Sequence, residues 1–385
     1  MALQWKQYSG KWNLQTQGQA EGAGNWPKPF NYLWAWGDGG DGRLGLGNTT
    51  DYSSPVQVGA ANWSSIASGT SHTLALHTDG TVWAWGDNSN GTLGLGNTTD
   101  YSSPKQVGSL TDWAFIAAGG HCSFAGKTDG TLWSWGYGAG GQLGQNNTTA
   151  YSSPVQIGAL TTWSSITGFT SGAMAVKTDG TLWAWGDNFY GQLGQGDSGS
   201  GTDRSSPVQV GALTTWATTG GTYNFTLAIK TDGTLWVWGR NYAGQLGDGT
   251  TTDRSSPVQV GALTDWSIID SGDNMTIAIK TDGTAWSMGQ NNHGQLGNSP
   301  SYPYPSESSP VQIGALTSWS AIACGTEHTI AVRTDGTAWA WGYNNIGQLG
   351  IGSTSYKTSP VQIGALTTWA TPSACYGQSF AIKLV

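Results

Sequence analysis

The chain has 385 residues, of which only 10% are charged, with 60 Gly, 23 Trp and a formal net charge of -8. The 15 Lys and Arg form no basic run, which excludes a nucleic-acid partner, because phosphate binding needs clustered cations. Three cysteines without metal-ligand spacing, Cys122, Cys324 and Cys375, argue against a disulfide framework and read as buried or half-buried free thiols. No apolar run of about 18 residues marks a membrane span.

Met1 to Phe30 is a non-repeating arm, rich in Gln and Gly and carrying Trp5, Tyr8, Trp12 and Trp26. It lacks the basic start and apolar stretch of a secretory signal, so a cytoplasmic or virion-associated location is expected. Its aromatics suit docking onto another subunit, while Trp5-Lys-Gln-Tyr8-Ser faintly echoes a Trp-x-x-Ile-Ala strand found further along the chain; both readings stay open.

From residue 31 to 385 one block recurs seven times, anchored on Trp-x-Trp-Gly at Trp34, Trp83, Trp133, Trp183, Trp236, Trp286 and Trp339. The sixth copy reads Trp286-Ser-Met288-Gly. A spacing of 49 to 53 residues belongs to propeller blades or kelch-like arrays and is too long for ankyrin or leucine-rich repeats. Residues 31-385 therefore read as one repeat domain with a shared core.

Within a block, Ser53 to Val58 begins a strand at its Pro, where no ladder donor is lost, and alternates Val56 with Val58. Trp63-Ser-Ser-Ile66 supplies a further short strand. Leu74-Ala-Leu76 then pairs with Val82 to Trp85 across Thr78-Asp-Gly-Thr81, read as a type I′ turn with positive φ at both central residues. Trp83 and Trp85 share a face by the period of two, so both rings are expected to pack between neighbouring sheets.

Each unit is a four-stranded antiparallel meander too small to stand alone, and seven copies predict an all-β, seven-bladed β-propeller. The chain enters at Tyr32 to Trp36 and leaves at Phe380 to Val385, both without the Thr-Asp-Gly turn. Those half-hairpins are expected to pair, closing the ring and removing its open edges.

Antiparallel topology places the Thr-Asp-Gly turn and the Gly-Ala-Leu-Thr connection on one face, which is nearly uniform among the copies. The opposite face varies. Its long loops carry Tyr137, Phe189, Tyr190, Tyr242, His293, Tyr343 and Ile346, and a lengthened loop adds Tyr302 and Tyr304. The Gly-x-x-His-Thr slot reads His72, Cys122, Gly172, Phe225, Met275, His328 and Gln378, with Glu327 beside His328. Variation confined to one face, with aromatics in loop slots, is the pattern of a binding surface on a rigid scaffold, for a protein or a surface glycan. Drift of loops free of packing gives the same pattern.

Catalytic signatures are absent. Asp79, Asp129, Asp179, Asp232, Asp282 and Asp335 belong to hairpin turns, and no phosphate loop, nucleophile elbow or metal-spaced histidine pair occurs, so neither cofactor nor metal is expected. Asp270 and Asp273 are the one repeat-breaking acid pair near a predicted loop, and with Glu327 they keep a hydrolase as a remote third reading.

The Trp-x-Trp-Gly, Gly-Gln-Leu-Gly, Pro-Val and Gly-x-x-His-Thr elements, in that order and at this spacing over residues 31 to 385, resemble the regulator of chromosome condensation repeat. The resemblance implies a seven-bladed propeller used mainly as a protein-binding platform. Members of that family include a nucleotide exchange factor for a small GTPase, a bacterial inhibitor that caps β-lactamases and a plant UV-B receptor. The exchange factor's wedge insertion and basic tail have no counterpart here, and the receptor relies on tryptophans ringed by arginines, whereas only Arg43, Arg204, Arg240, Arg254 and Arg333 are present in this chain. The expectation is a non-enzymatic interaction propeller, part of a larger assembly such as a bacterial or phage surface or tail component. The alternative is a soluble inhibitor or regulator that caps an enzyme.

Overall fold

A computed structural model describes residues 31–60, 62–221, 223–298 and 305–384, so Trp5, Tyr8, Trp12, Trp26, Tyr302 and Tyr304 lie outside the described residues. The described residues form seven four-stranded antiparallel sheets. The first two strands are β1 (Asn31–Gly37) and β2 (Tyr52–Val58), and the next four, β3 (Trp63–Ser68), β4 (His72–His77), β5 (Val82–Gly86) and β6 (Tyr101–Gln106), make up one blade in sequence order. Five further blades repeat that order, and the seventh is assembled from both chain ends.

In that closing blade β1 pairs antiparallel with the final strand, Gln378–Leu384, in unbroken register from Asn31 opposite Leu384 to Gly37 opposite Gln378. Each end contributes the strand the other lacks, so no blade is left with an open edge at the junction. No helix among the described residues is long and apolar enough to cross a membrane.

The hairpin between β4 and β5 departs from the expected type I′ turn. Gly80 has φ +81°, but Asp79 is not among the positive-φ residues. Gly80 N–H donates to His77 O at 3.0 Å and His77 N–H to Thr81 O at 2.9 Å, the pattern of a three-residue loop with Gly in the left-handed region. The reason is the Asp side chain. Asp79 Oδ1 accepts from Thr81 N–H at 3.0 Å and Thr81 Oγ1 at 2.7 Å, and that hydroxyl accepts from Trp83 Nε1 at 2.9 Å. One short relay thus ties the turn to the first Trp of the pair, and five more blades repeat it. The bonds from Thr81 hold the Asp79 carboxyl below its ordinary range.

The second Trp performs a different task. Trp85 Nε1 donates to Arg43 O at 2.8 Å and Trp135 Nε1 to Thr92 O at 2.8 Å, and in the six blades that have an inner indole it is latched in this way to the long loop of the blade before it. The residue after that acceptor is Leu, fully buried at Leu93, and the next is a Gly with no room for a side chain. Gly94 has φ +71°, and a Cβ there would lie 2.7 Å from Trp135 Nε1. The Gly-Gln-Leu-Gly element is therefore the receptor for the neighbouring indole. Trp63 packs edge-on against both Trp83 and Trp85, with centroids 6.1 Å away in each case, and shares a core with Leu33, Leu44 and Phe380 of the adjoining blade.

Candidate functional site

The long loops and the loops after the first strands share one face, as Asp87 N–H bonding to Ser71 O shows; the Thr-Asp-Gly turns and connections share the other, as Trp113 N–H bonding to Gly80 O shows. On the loop face Phe189 and Tyr242 are 52% and 51% exposed and Tyr137 is 40% exposed.

His72, Phe225, Met275 and His328 are corrections to the expected contact set. All four are buried to 1% exposure or less, at blade junctions instead of on the loop surface. The slot is the first residue of a strand, so its side chain points from the sheet face into the neighbouring blade. His72 Nε2 sits 2.9 Å from Ser123 Oγ, and that hydroxyl donates to Thr92 O at 2.7 Å; His328 repeats this with Ser379 and Gln348 O. The Gly of Gly-x-x-His makes room for the ring, since a Cβ on Gly325 would lie 2.1 Å from His328 Cε1. In a third blade the sizes are exchanged: Phe169 takes the glycine position, and the slot itself is Gly172.

The loop aromatics gather into two patches. In one, Arg240 Cζ lies 4.7 Å from the Tyr190 ring and 4.4 Å from the Tyr242 ring, while Phe189 meets Tyr190 edge-on at 5.0 Å. The lengthened loop after Tyr190 supports it, with Gly199 N–H donating to Phe189 O and Arg204 paired with Asp197. In the other, His293 contacts Tyr343 at 4.7 Å and Tyr356 at 5.4 Å, and its Nδ1 is 3.1 Å from Glu327 Oε2. Ile346 lies beside Gly377 in the same region, next to exposed Tyr376. Among the described residues no ring contact joins Tyr137 to either patch.

Sequence reasoning missed Arg240, Tyr356, Tyr376 and Tyr223 as members of this face. Arg240 carried a usable signal, because it replaces Asp or Tyr in the slot directly after Trp-Gly. Tyr356 did not; it sits seventeen positions after Trp339 and reaches His293 only across blades.

Asp270 and Asp273 both line a central cavity of about 230 Å³, with Tyr223, Cys324, Thr326 and Cys375. Asp270 Oδ2 accepts the Cys324 N–H at 2.7 Å. Burial pushes the Asp270 carboxyl up to about 7; burial, and secondarily the nearby Glu327, push Asp273 up to about 7. Burial lowers His72 to about 4 and His328 to about 3.

These shifts oppose one another in pH dependence. A carboxyl whose folded value lies above its unfolded one lowers stability as it ionises, so Asp270 and Asp273 reduce stability as pH rises from about 4 to about 7. A histidine held neutral lowers stability as pH falls from its unfolded value of about 6.5 toward its folded value. Melting temperature is therefore expected to be nearly flat between about pH 4.5 and 6.5. The Asp270→Asn, Asp273→Asn double variant should gain on the order of 1–3 kcal/mol at alkaline pH and should lose stability on acidification, with the histidines unopposed. Superimposable pH profiles for variant and parent in thermal denaturation would contradict this.

Seven segments of the chain, residues 31–76, 79–125, 129–175, 179–229, 232–279, 282–332 and 335–382, match the regulator of chromosome condensation (RCC1) repeat. Among solved structures, the chain is similar to Prp20p from Saccharomyces cerevisiae at 21% identity, with 92% of each chain covered and a TM-score of 0.81. It is similar to human WBSCR16 at 19% identity, covering 93% of this chain and 99% of that one, with a TM-score of 0.80. Yeast RCC1 (Prp20) bound to Kap60 gives 21% identity, 100% and 96% coverage and a TM-score of 0.81.

Proposed function

The chain belongs to the regulator of chromosome condensation repeat family, and from that premise we propose that it is a non-enzymatic protein-interaction propeller that grips its partner with the loop face. The observation that carries this reading is the Tyr190–Arg240–Tyr242 stack beside exposed Phe189. Interface energy concentrates in aromatic and Arg side chains held rigidly at the centre of a patch, and here two blades hold one guanidinium between two rings. Tyr137, Tyr343, Ile346, His293 and Glu327 extend the same face. Carboxylates far outnumber basic side chains in these loops, which favours a partner with a basic surface and a salt-sensitive association rate. Prp20p was described with binding properties to Gsp1p and histones, and yeast RCC1 in complex with Kap60, so propellers of this shape do serve as protein platforms.

Alanine at Phe189, Tyr190 or Tyr242 is expected to weaken binding of the partner recovered with the wild-type protein by about tenfold or more per site, with thermal stability unchanged. Equal affinity for all three variants in calorimetric titration would sink the reading. Within it, the chain is a component of a larger assembly, such as a bacterial or phage surface or tail component. A soluble inhibitor that caps an enzyme is the alternative. Native mass measurement separates them: oligomers that require residues 1–30 favour the assembly, and a one-to-one complex with an enzyme favours the inhibitor.

A further inference from the structure

The first strands of successive blades lie side by side around the central cavity, and each blade brings residues to it at fixed places, five and two positions before the buried slot of His72 and His328. At the deeper place the copies are small, as at Ala67, Ala117, Thr167 and Ala323, and Asp270 is the exception. At the mouth, on the loop face, one half is equally plain, with Thr70, Gly120 and Thr170. The other half reads Tyr223, Asp273, Thr326 and Tyr376 in successive blades. Main-chain bonds tie that arc together: Asp273 N–H donates to Thr326 O and Thr326 N–H to Tyr376 O, both at 3.2 Å. Near-identical repeats would make an even opening, so departures gathered on one side give the mouth a distinct wall.

The wall is open to a ligand. Tyr223, Asp270, Asp273 and Glu327 are half-buried, and Tyr376 is 48% exposed. The Tyr223 ring makes no ring contact and carries no cation among the described residues. Tyr376 is held at φ +49°, a left-handed backbone that is costly for a bulky residue, and its ring meets one resident cation, Arg43, at 5.8 Å. That guanidinium is committed elsewhere: it donates to Asp38, Asp41 and the carbonyls of Gly40 and Thr70, and the Arg43 side chain is 8% exposed. No Lys or Arg lines the cavity, and among the described residues neither Asp270 nor Asp273 has an ion-pair partner. The chain thus keeps two carboxyls whose ionisation lowers its own stability, and supplies a cation for neither.

A cation from outside completes this wall. A metal ion suits it poorly, because among the described residues no three His, Cys, Asp or Glu side chains stand where they could hold one. The cavity, about 230 Å³, is smaller than the pockets of about 300–1,000 Å³ that take drug-sized ligands, and suits a single side chain. Lysine and arginine each bring an apolar stem for a tyrosine ring and a charged head for a carboxylate. We propose that the loop-face mouth of the central cavity seats one Lys or Arg side chain of the protein partner, its stem on Tyr223 and its charge at Asp273, with Asp270 below and Glu327 at the rim. This rests on the reading that a protein binds the loop face, and adds the chemistry of the contact at its centre.

The test uses the full chain carrying ring-¹³C tyrosine, with Tyr223 assigned by its loss in Tyr223→Phe. The probes are acetyl-Gly-Lys-Gly-amide and acetyl-Gly-Arg-Gly-amide, and acetyl-Gly-Gln-Gly-amide is the control. The Tyr223 resonance should shift saturably with at least one cationic peptide, more weakly at high salt, and not with the Gln peptide. Asp273→Asn, which removes the charge with little change of shape, should weaken that binding by about tenfold or more, while the melting temperature holds or rises. Alanine at Phe189, Tyr190 or Tyr242 should leave the peptide shifts as they are in the parent. Four results overturn the proposal: no Tyr223 shift with either cationic peptide, an equal shift with the Gln peptide, unchanged affinity in Asp273→Asn, or a shift with calcium chloride where neither peptide acts. If partner binding still depends on Phe189, Tyr190 and Tyr242 when one of these is found, the loop-face reading stands and only the seat at the mouth is lost.

Discussion

A chain ending at Gly377, without the final strand, is expected to lose cooperative unfolding altogether. The final strand supplies the only partner of β1 on one side and of Trp369–Cys375 on the other, so its removal leaves two unpaired strand edges facing each other across an empty lane. It also removes Phe380 and Ile382, both at 2% exposure or less, from the core that contains Trp63 and Trp85. Loss of a buried Phe alone costs about 3–5 kcal/mol, comparable to much of the stability of an ordinary domain. Blades next to the gap then lack one of their two neighbours, and repeat units derive much of their stability from those interfaces. Tryptophan fluorescence in urea should replace one sharp transition by a broad one at lower midpoint, accompanied by aggregation through the open edges. A single transition at the parental midpoint would show that the closure is dispensable.

The second large effect separates the two members of a Trp-x-Trp pair. Trp185 is fully buried and donates to Gln142 O of the preceding blade at 3.0 Å, whereas Trp183 is half-buried and bonds only to Thr181 of its own hairpin. Trp185→Ala is expected to cost about 3–5 kcal/mol through the cavity and the unlatched loop, and Trp183→Ala about 1–2 kcal/mol. Trp185→Met should recover part of the loss. The chain already fills the equivalent place beside Gly247 with Met288, where Thr276 Oγ1 keeps the loop carbonyl of Gln245 paired at 2.8 Å; Ala173 stands at that position beside Trp185, so Met there restores the packing and not the bond to Gln142 O. Equal destabilisation at the two positions in chemical denaturation would refute this division of labour.

The glycine at 94 shows how far such roles are readable in advance. Its recurrence after Leu marks a tight place, but that the tight object is an indole from the next blade follows only from the packed ring. The histidine slot misled for a related reason. Substitution from copy to copy at His72, Phe225, Met275 and His328 resembles a variable surface, yet it is repacking of a buried junction, as the exchange between Phe169 and Gly172 shows. The two Asp residues that broke the repeat did mark an unusual place, the central cavity, and their raised pKa values come from burial that no local sequence pattern encodes.

What the amino-acid sequence determined by itself is whatever depends on neighbours in the chain: strand periodicity, the position of each hairpin, the number of blades, and the complementary half-hairpins that close the ring. These are local preferences multiplied by seven, so the repeat reports them seven times. Tertiary structure decided the rest. The turn type depends on where the Asp79 carboxylate finds its donors. Which loop residues are exposed depends on the blade beyond, and the stack of Arg240 between Tyr190 and Tyr242 exists only where two blades meet. Contacts across a junction join residues about fifty positions apart, and nothing within one block specifies what its neighbour presents.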